Sequence, residues 1–140
     1  MAEVRVEQEL PAAADAVWRR LRDFGGIGSW SPSVTSCDVE GSGVGAVRTI
    51  RVGQAVIRER LESFDDAQRS FSYSVLEGTL PVASFLGRIS ISAAGTSRSR
   101  ILWTAAFETT GLSPERVREL TGGIESSFAR VIGSLRASLG

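Results

Sequence analysis

The chain contains no lysine and no histidine. All 16 cationic side chains among its 140 residues are arginine, and 16 carboxylates balance them. Several chemistries are thereby excluded. No Schiff base can form, no phosphate-loop lysine exists, and no imidazole can serve as a general base or hold zinc. Cysteine is nearly absent too. A single Cys37 cannot form an internal disulfide, so nothing argues for an oxidising compartment. Tyrosine occurs once, as Tyr73. No run approaches the roughly 20 apolar residues that span a bilayer, and the opening Met1–Glu7 segment alternates charge where a signal peptide would be apolar. A neutral chain without a basic block offers no electrostatic footprint for nucleic acid. The expectation is a cytoplasmic protein without membrane insertion, metal or cofactor, present as a monomer or homodimer.

What is present is 42% apolar residues and 23% charged, the composition of one ordinary globular domain spanning 1–140. No repeat or linker divides it. A first strand reads Val4–Leu10, with Val4, Val6 and Leu10 on one face and Arg5, Glu7 and Glu9 on the other. Pro11 stops it, and Ala12–Arg22 reads as a helix with Val17, Trp18 and Leu21 inward. The glycine-rich Phe24–Trp30 segment allows only a short, irregular second helix before Pro32. From Val34 the period changes to two, predicting strands at Val34–Glu40, Ala46–Val52, Ala55–Phe64, Ser70–Leu76, Ala83–Ser92 and Arg100–Thr109. A long helix closes the chain, with Ser113 as N-cap and Pro114 in its first turn. Val117, Leu120, Ile124, Phe128, Val131, Leu135 and Leu139 form its apolar stripe, and Gly122-Gly123 interrupt its middle. Those glycines permit either close helix–sheet packing or open space beneath the helix.

The hairpin at Gly53-Gln54 carries the sharpest chemical signal. A two-residue turn there sets Val52 opposite Ala55, Ile50 opposite Ile57 and Arg48 opposite Glu59. Arg48 and Glu59 then lie in an inward row with Leu61, while Arg51, Arg58 and Arg60 face water. A parity-keeping turn from Asp65 to Arg69 would bring Tyr73 beside Glu59, with Phe85 on the next strand. The expected result is a polar rung of Arg48, Glu59 and Tyr73 on an apolar face. It is either a structural ion pair with its tyrosine or the polar patch of a pocket wall. Acid–base work near neutral pH would need either Glu59 raised by desolvation, which Arg48 opposes, or the Tyr73 phenol lowered by Arg48. Cys37 alternates inward with Thr35 and Val39 and reads as a small buried hydrophobe.

The element order, an α+β arrangement of one strand, two short helices, six strands and a long helix, resembles the helix-grip fold of the START-like SRPBCC superfamily. Within it, the chain is most similar to the bacterial polyketide cyclase/dehydrase and lipid-transport family. The resemblance rests on Leu10-Pro-Ala-Ala-Ala-Asp-Ala-Val-Trp18, Asp23-Phe-Gly-Gly with Trp30-Ser-Pro32, Gly43-Val-Gly-Ala-Val-Arg48, Arg58-Glu-Arg-Leu-Glu62, Ser72-Tyr-Ser-Val75 and Glu77-Gly-Thr-Leu-Pro-Val82. It implies a seven-stranded antiparallel curved sheet wrapped around the C-terminal helix, with a cavity between them. Pocket walls would come from Ile50, Ile57, Val75, Phe85, Gly87, Trp103, Phe107, Ile124 and Phe128, beside Arg48, Glu59 and Tyr73. The Glu77–Val82 loop occupies the place of the latch loop in the related plant abscisic acid receptors, with Leu80 over the mouth. Two departures from relatives stand out: Thr35 replaces the receptors' carboxylate-binding lysine, and Ser31 replaces a histidine frequent in bacterial relatives.

Function divides three ways at this point. The resemblance implies binding of a hydrophobic small molecule, such as a polyketide, lipid or isoprenoid. The alternative is a cofactor-independent cyclase or dehydratase, in which Glu59 would be the base while Arg48 and Tyr73 stabilise an enolate or protonate a leaving oxygen. A stress-response or interaction module without ligand is the third possibility.

Overall fold

The computed structural model describes residues 1–140. Its elements run β1 (Ala2–Leu10), α1 (Ala14–Leu21), a single 3-10 turn at Ile27–Ser29, β2 (Ser36–Glu40), β3 (Val47–Val52), β4 (Ala55–Asp65), β5 (Ser70–Glu77), β6 (Ala83–Ala93), β7 (Ser99–Glu108) and α2 (Pro114–Ser138). The seven strands form one sheet in the order β1-β7-β6-β5-β4-β3-β2, with every neighbouring pair antiparallel. Strands 2 to 7 form a meander, and β1 joins its far end beside β7. The expected helix-grip architecture is therefore present, the second short helix being only one 3-10 turn.

Both helices follow from their apolar spacing. In α1, Ala14, Val17, Trp18 and Leu21 are buried, a helical i, i+3, i+4, i+7 set. The helix begins two residues later than Ala12, because Ala13 is extended at φ −61° and ψ 149°. Trp18 anchors it by donating its indole N–H to Asp66 Oδ1 at 2.8 Å. In α2, the Ser113 hydroxyl accepts the Arg116 backbone N–H at 3.1 Å, and Pro114 occupies the first turn. Leu120, Ile124, Phe128, Ile132 and Leu135 are its buried residues. Ile132, absent from the expected stripe, follows Phe128 by four and shares the seam with the half-buried Val131. At roughly 1.5–3 kcal/mol per fully buried side chain, this stripe holds α2 on the sheet far more strongly than helix propensity does.

The two ends of α2 meet different surroundings. Near its C-terminus, Arg136 Nη2 donates to Gln8 Oε1 at 2.6 Å and to the Glu9 carbonyl at 3.1 Å, tying that end to β1. Leu10, Ile101, Ile132 and Leu135 are almost fully buried. Toward the N-terminal half, Gly123, Ile124, Ser127, Phe128 and Val131 instead face a cavity. The helix grips the sheet at one end and stands over open space at the other.

Candidate functional site

The cavity lies between α2, the inner face of the sheet and the loop 78–82, and has a volume of about 410 Å³. That is within the range of small-molecule sites. Fifteen of its 24 lining residues are hydrophobic, so an occupant must be largely apolar.

Arg48 and Glu59 face one another across the β3–β4 hairpin, in the register that the Gly53-Gln54 turn predicts. Arg48 Nε and Nη2 both donate to Glu59 Oε1, at 2.9 and 2.7 Å. The remaining Arg48 nitrogen, Nη1, donates to the Phe24 carbonyl at 3.0 Å, and the guanidinium carbon lies 4.2 Å from the Phe24 ring centroid. The Asp23-Phe-Gly-Gly loop after α1 thus supplies a lid of carbonyl and aromatic ring over the cation. This explains how a guanidinium whose side chain is only 9% exposed can be tolerated. Glu59 Oε2 makes no hydrogen bond.

Tyr73 is displaced from its expected place. It pairs with Leu61, while Glu59 pairs with Val75. The cause is a four-residue turn, Asp66–Arg69, that breaks parity, and a bulge with Glu62 as the extra residue on β4 that restores it two residues out of the expected register; a second bulge, with Leu76 extra on β5, lies beyond both pairs. Glu59 and Tyr73 are consequently diagonal neighbours on the same face, still within reach of long side chains. On its other side Tyr73 pairs with Gly87, not with Phe85. Its ring leans over that glycine: a β-carbon at Gly87 would lie 2.5 Å from Tyr73 Cε1 and Oη. The Oη accepts the Trp103 indole N–H at 3.0 Å. Trp103 is in turn stacked on Phe128, with centroids 4.0 Å apart and planes at 9°.

Burial pushes the Tyr73 phenol well above its ordinary value, and the negative charge of Glu59 adds to the rise; the Trp103 hydrogen bond and Arg48 oppose it without prevailing. A phenol lowered by Arg48, one of the two conditions for acid–base work near neutral pH, is not met, because desolvation outweighs the cation. Tyr73 is a proton-bearing hydroxyl at physiological pH. Burial likewise raises the Cys37 thiol, with Arg48 opposing, so Cys37 is not a thiolate. No three thiols or carboxylates converge as metal ligands.

The cavity wall includes Arg48, Ile50, Ile57, Glu59, Tyr73, Val75, Leu80, Phe85, Trp103, Ile124 and Phe128. Gly87 and Phe107 are not part of it. Gly87 is covered by the Tyr73 ring, and Phe107 is fully buried behind the wall, stacked on Phe85 at 6.5 Å. Leu80 lines the mouth from the loop and is 41% exposed. Gly123, where a missing side chain allows open space beneath the helix, and Val131 of the apolar stripe also line the cavity, as does Ser127, which helical spacing from Ile124 and Phe128 places on the same face. Ile27, Ser31 and Val34 lie in the irregular segment before β2, where no periodicity marks an inward position.

Known proteins share this architecture. A protein of Thermobifida fusca is 28% identical, with a TM-score of 0.87 over 100% of this chain and 94% of that one. The Zhui aromatase/cyclase of a Streptomyces species is 22% identical, with a TM-score of 0.73 over 99% of this chain and 90% of that one. Norcoclaurine synthase from Thalictrum flavum, solved in complex with dopamine and hydroxybenzaldehyde, is 19% identical, with a TM-score of 0.77 over 99% of this chain and 85% of that one. The two enzymes are below the identity at which more than fold is shared. No curated protein matches the sequence. The family described as polyketide cyclase / dehydrase and lipid transport matches residues 1–140, and the chain belongs to that family.

Proposed function

We propose that this protein binds a hydrophobic small molecule in the cavity between the sheet and α2. The observation that carries the reading is the composition of the wall. An apolar space of about 410 Å³ contains, on its sheet side, a charge pair and one phenol. Such a site can desolvate a molecule about the size of a bicyclic aromatic or a short isoprenoid chain and orient one polar group on it. Family membership supports the same class of occupant. Calorimetric titration with a panel of neutral bicyclic hydrocarbons tests the reading. Saturable binding that a bulky side chain at Gly123 abolishes supports it; heat-silent titrations and unchanged melting temperatures across the panel contradict it.

A second reading is favoured by one further observation: the Tyr73 O–H has no acceptor within the protein, and Glu59 Oε2 is unpaired. In a cyclase or dehydratase, Tyr73 would donate to a developing oxyanion while Glu59 accepts a proton from an activated carbon. Such an enzyme loses turnover at least about tenfold in Glu59→Gln and in Tyr73→Phe, whereas a carrier has no turnover to lose.

A further inference from the structure

We propose that the cavity selects neutral molecules bearing a hydroxyl group and discriminates against their carboxylate and ammonium counterparts, an inference that rests on the ligand-binding reading above. The direction of one hydrogen bond leads to it. An indole nitrogen can only donate, so in the Trp103–Tyr73 contact Oη must accept. The phenolic proton therefore points elsewhere, and no protein acceptor lies within hydrogen-bond distance of it. Tyr73 lines the cavity, which leaves an occupant as the acceptor.

The neighbouring polar atom has the opposite character. Glu59 Oε1 receives both Arg48 donors, while Oε2 receives none. A carboxylate oxygen can only accept. On this sheet face the cavity thus presents one donor and one acceptor on diagonal strand positions. A hydroxyl on an occupant can satisfy either one, accepting from Tyr73 or donating to Glu59. A carbonyl could meet only the first, and a hydrocarbon neither.

Charge explains the discrimination. Arg48 is the only cation on the cavity wall, and three of its five N–H donors are taken, two by Glu59 and one by the Phe24 carbonyl. A ligand carboxylate would meet a guanidinium whose charge Glu59 already neutralises, and would be repelled by that carboxylate. Glu77 at the mouth adds a further negative charge. An ammonium group fares little better inside, because Arg48 already neutralises the one deep carboxylate. Either ion would be buried without a full partner, which costs several kcal/mol.

Four ligands that share a naphthyl skeleton test this: naphthalene-methanol, methylnaphthalene, naphthoate and naphthylmethylammonium, each titrated calorimetrically into the intact protein. The alcohol is expected to bind about tenfold more tightly than the hydrocarbon, and both ions more weakly than the hydrocarbon. Tyr73→Phe should erase the alcohol's advantage over the hydrocarbon. Glu59→Gln, which keeps the volume, should strengthen naphthoate binding by turning the unpaired acceptor into a donor and releasing the Arg48 charge. Naphthoate binding as tightly as the alcohol to the native protein overturns the selection while leaving the cavity reading intact. So does an alcohol preference that survives both substitutions. Binding by none of the four overturns the ligand-binding reading itself.

Discussion

Arg48 places two of its donors on a single oxygen of Glu59, at 2.9 and 2.7 Å, and leaves the other oxygen bare. The pair is held on two adjacent strands, and Phe24 closes over it from the loop after α1. It is both a folding element and the charged feature of the cavity wall, and the two roles have separable consequences.

As a folding element, the pair is expected to resist single substitution. Arg48→Met strands a carboxylate that is only 12% exposed, and should destabilise the protein by about 3 kcal/mol. The double variant Arg48→Met with Glu59→Leu removes both charges and should recover most of that loss. Urea denaturation of the single and double variants measures the difference. Equal destabilisation of both would mean that the ion pair itself, and not the stranded charge, is what matters.

Gly87 is expected to be intolerant of any side chain. A methyl group there meets the Tyr73 ring, so Gly87→Ala should destabilise by about 2 kcal/mol. In a Tyr73→Leu background the same change should be much milder, because the ring is gone. A double-mutant cycle in denaturant reads the coupling, and additivity of the two changes would refute the contact.

The alkaline limb of stability should belong to two residues. The folded state keeps Tyr73 protonated where the unfolded chain releases that proton near pH 10. Its contribution is intact below that pH and is lost as the pH rises beyond it, by up to about 1.4 kcal/mol per pH unit. Cys37, also raised, acts in the same direction from slightly lower pH. With no lysine in the chain, no other side-chain class titrates in that window. Because Tyr73 is the only tyrosine, tyrosinate absorbance should appear together with unfolding followed by circular dichroism. Absorbance rising well before the fold is lost would contradict the burial argument. Tyr73→Phe combined with Cys37→Ala should flatten the limb.

The glycine pair in α2 should separate stability from binding. Neither Gly122 nor Gly123 has a neighbour that a β-carbon would meet within 4 Å. Alanine at either position should therefore stabilise the helix by up to about 1 kcal/mol. Only Gly123 lines the cavity. Leucine at 123 should preserve folding and weaken ligand binding at least about tenfold, whereas leucine at 122 should leave binding unchanged. Calorimetric titration of both variants distinguishes them.

Legibility of this molecule from its sequence tracks the rigidity of local rules. Alternation is clearest in the strands with one dry face, such as β6 and β7, and a two-residue turn at Gly53-Gln54 leaves a single register for Arg48 and Glu59. The next hairpin defeats the same logic. Its four-residue turn and the bulge at Glu62 depend on how β4 and β5 twist together, and no residue announces them; Tyr73 accordingly sits opposite Leu61 and not Glu59. Gly87 illustrates a related gap. A glycine in a strand signals a close approach, but only the structure says that what approaches is the Tyr73 ring and not a ligand. Phe24 was invisible as the third partner of Arg48, because its loop carries no periodicity and contacts a strand 24 residues away.

The central claim, a ligand seated against Tyr73 and Trp103, is tested most directly by the indole N–H signals in a proton–nitrogen correlation spectrum. The chain has three tryptophans, and of these only Trp103 lines the cavity. Titration with naphthalene-methanol should move the Trp103 indole signal saturably and leave those of Trp18 and Trp30 in place. A Trp103 signal that stays fixed at saturating ligand, or one that moves only together with Trp18, would contradict the account.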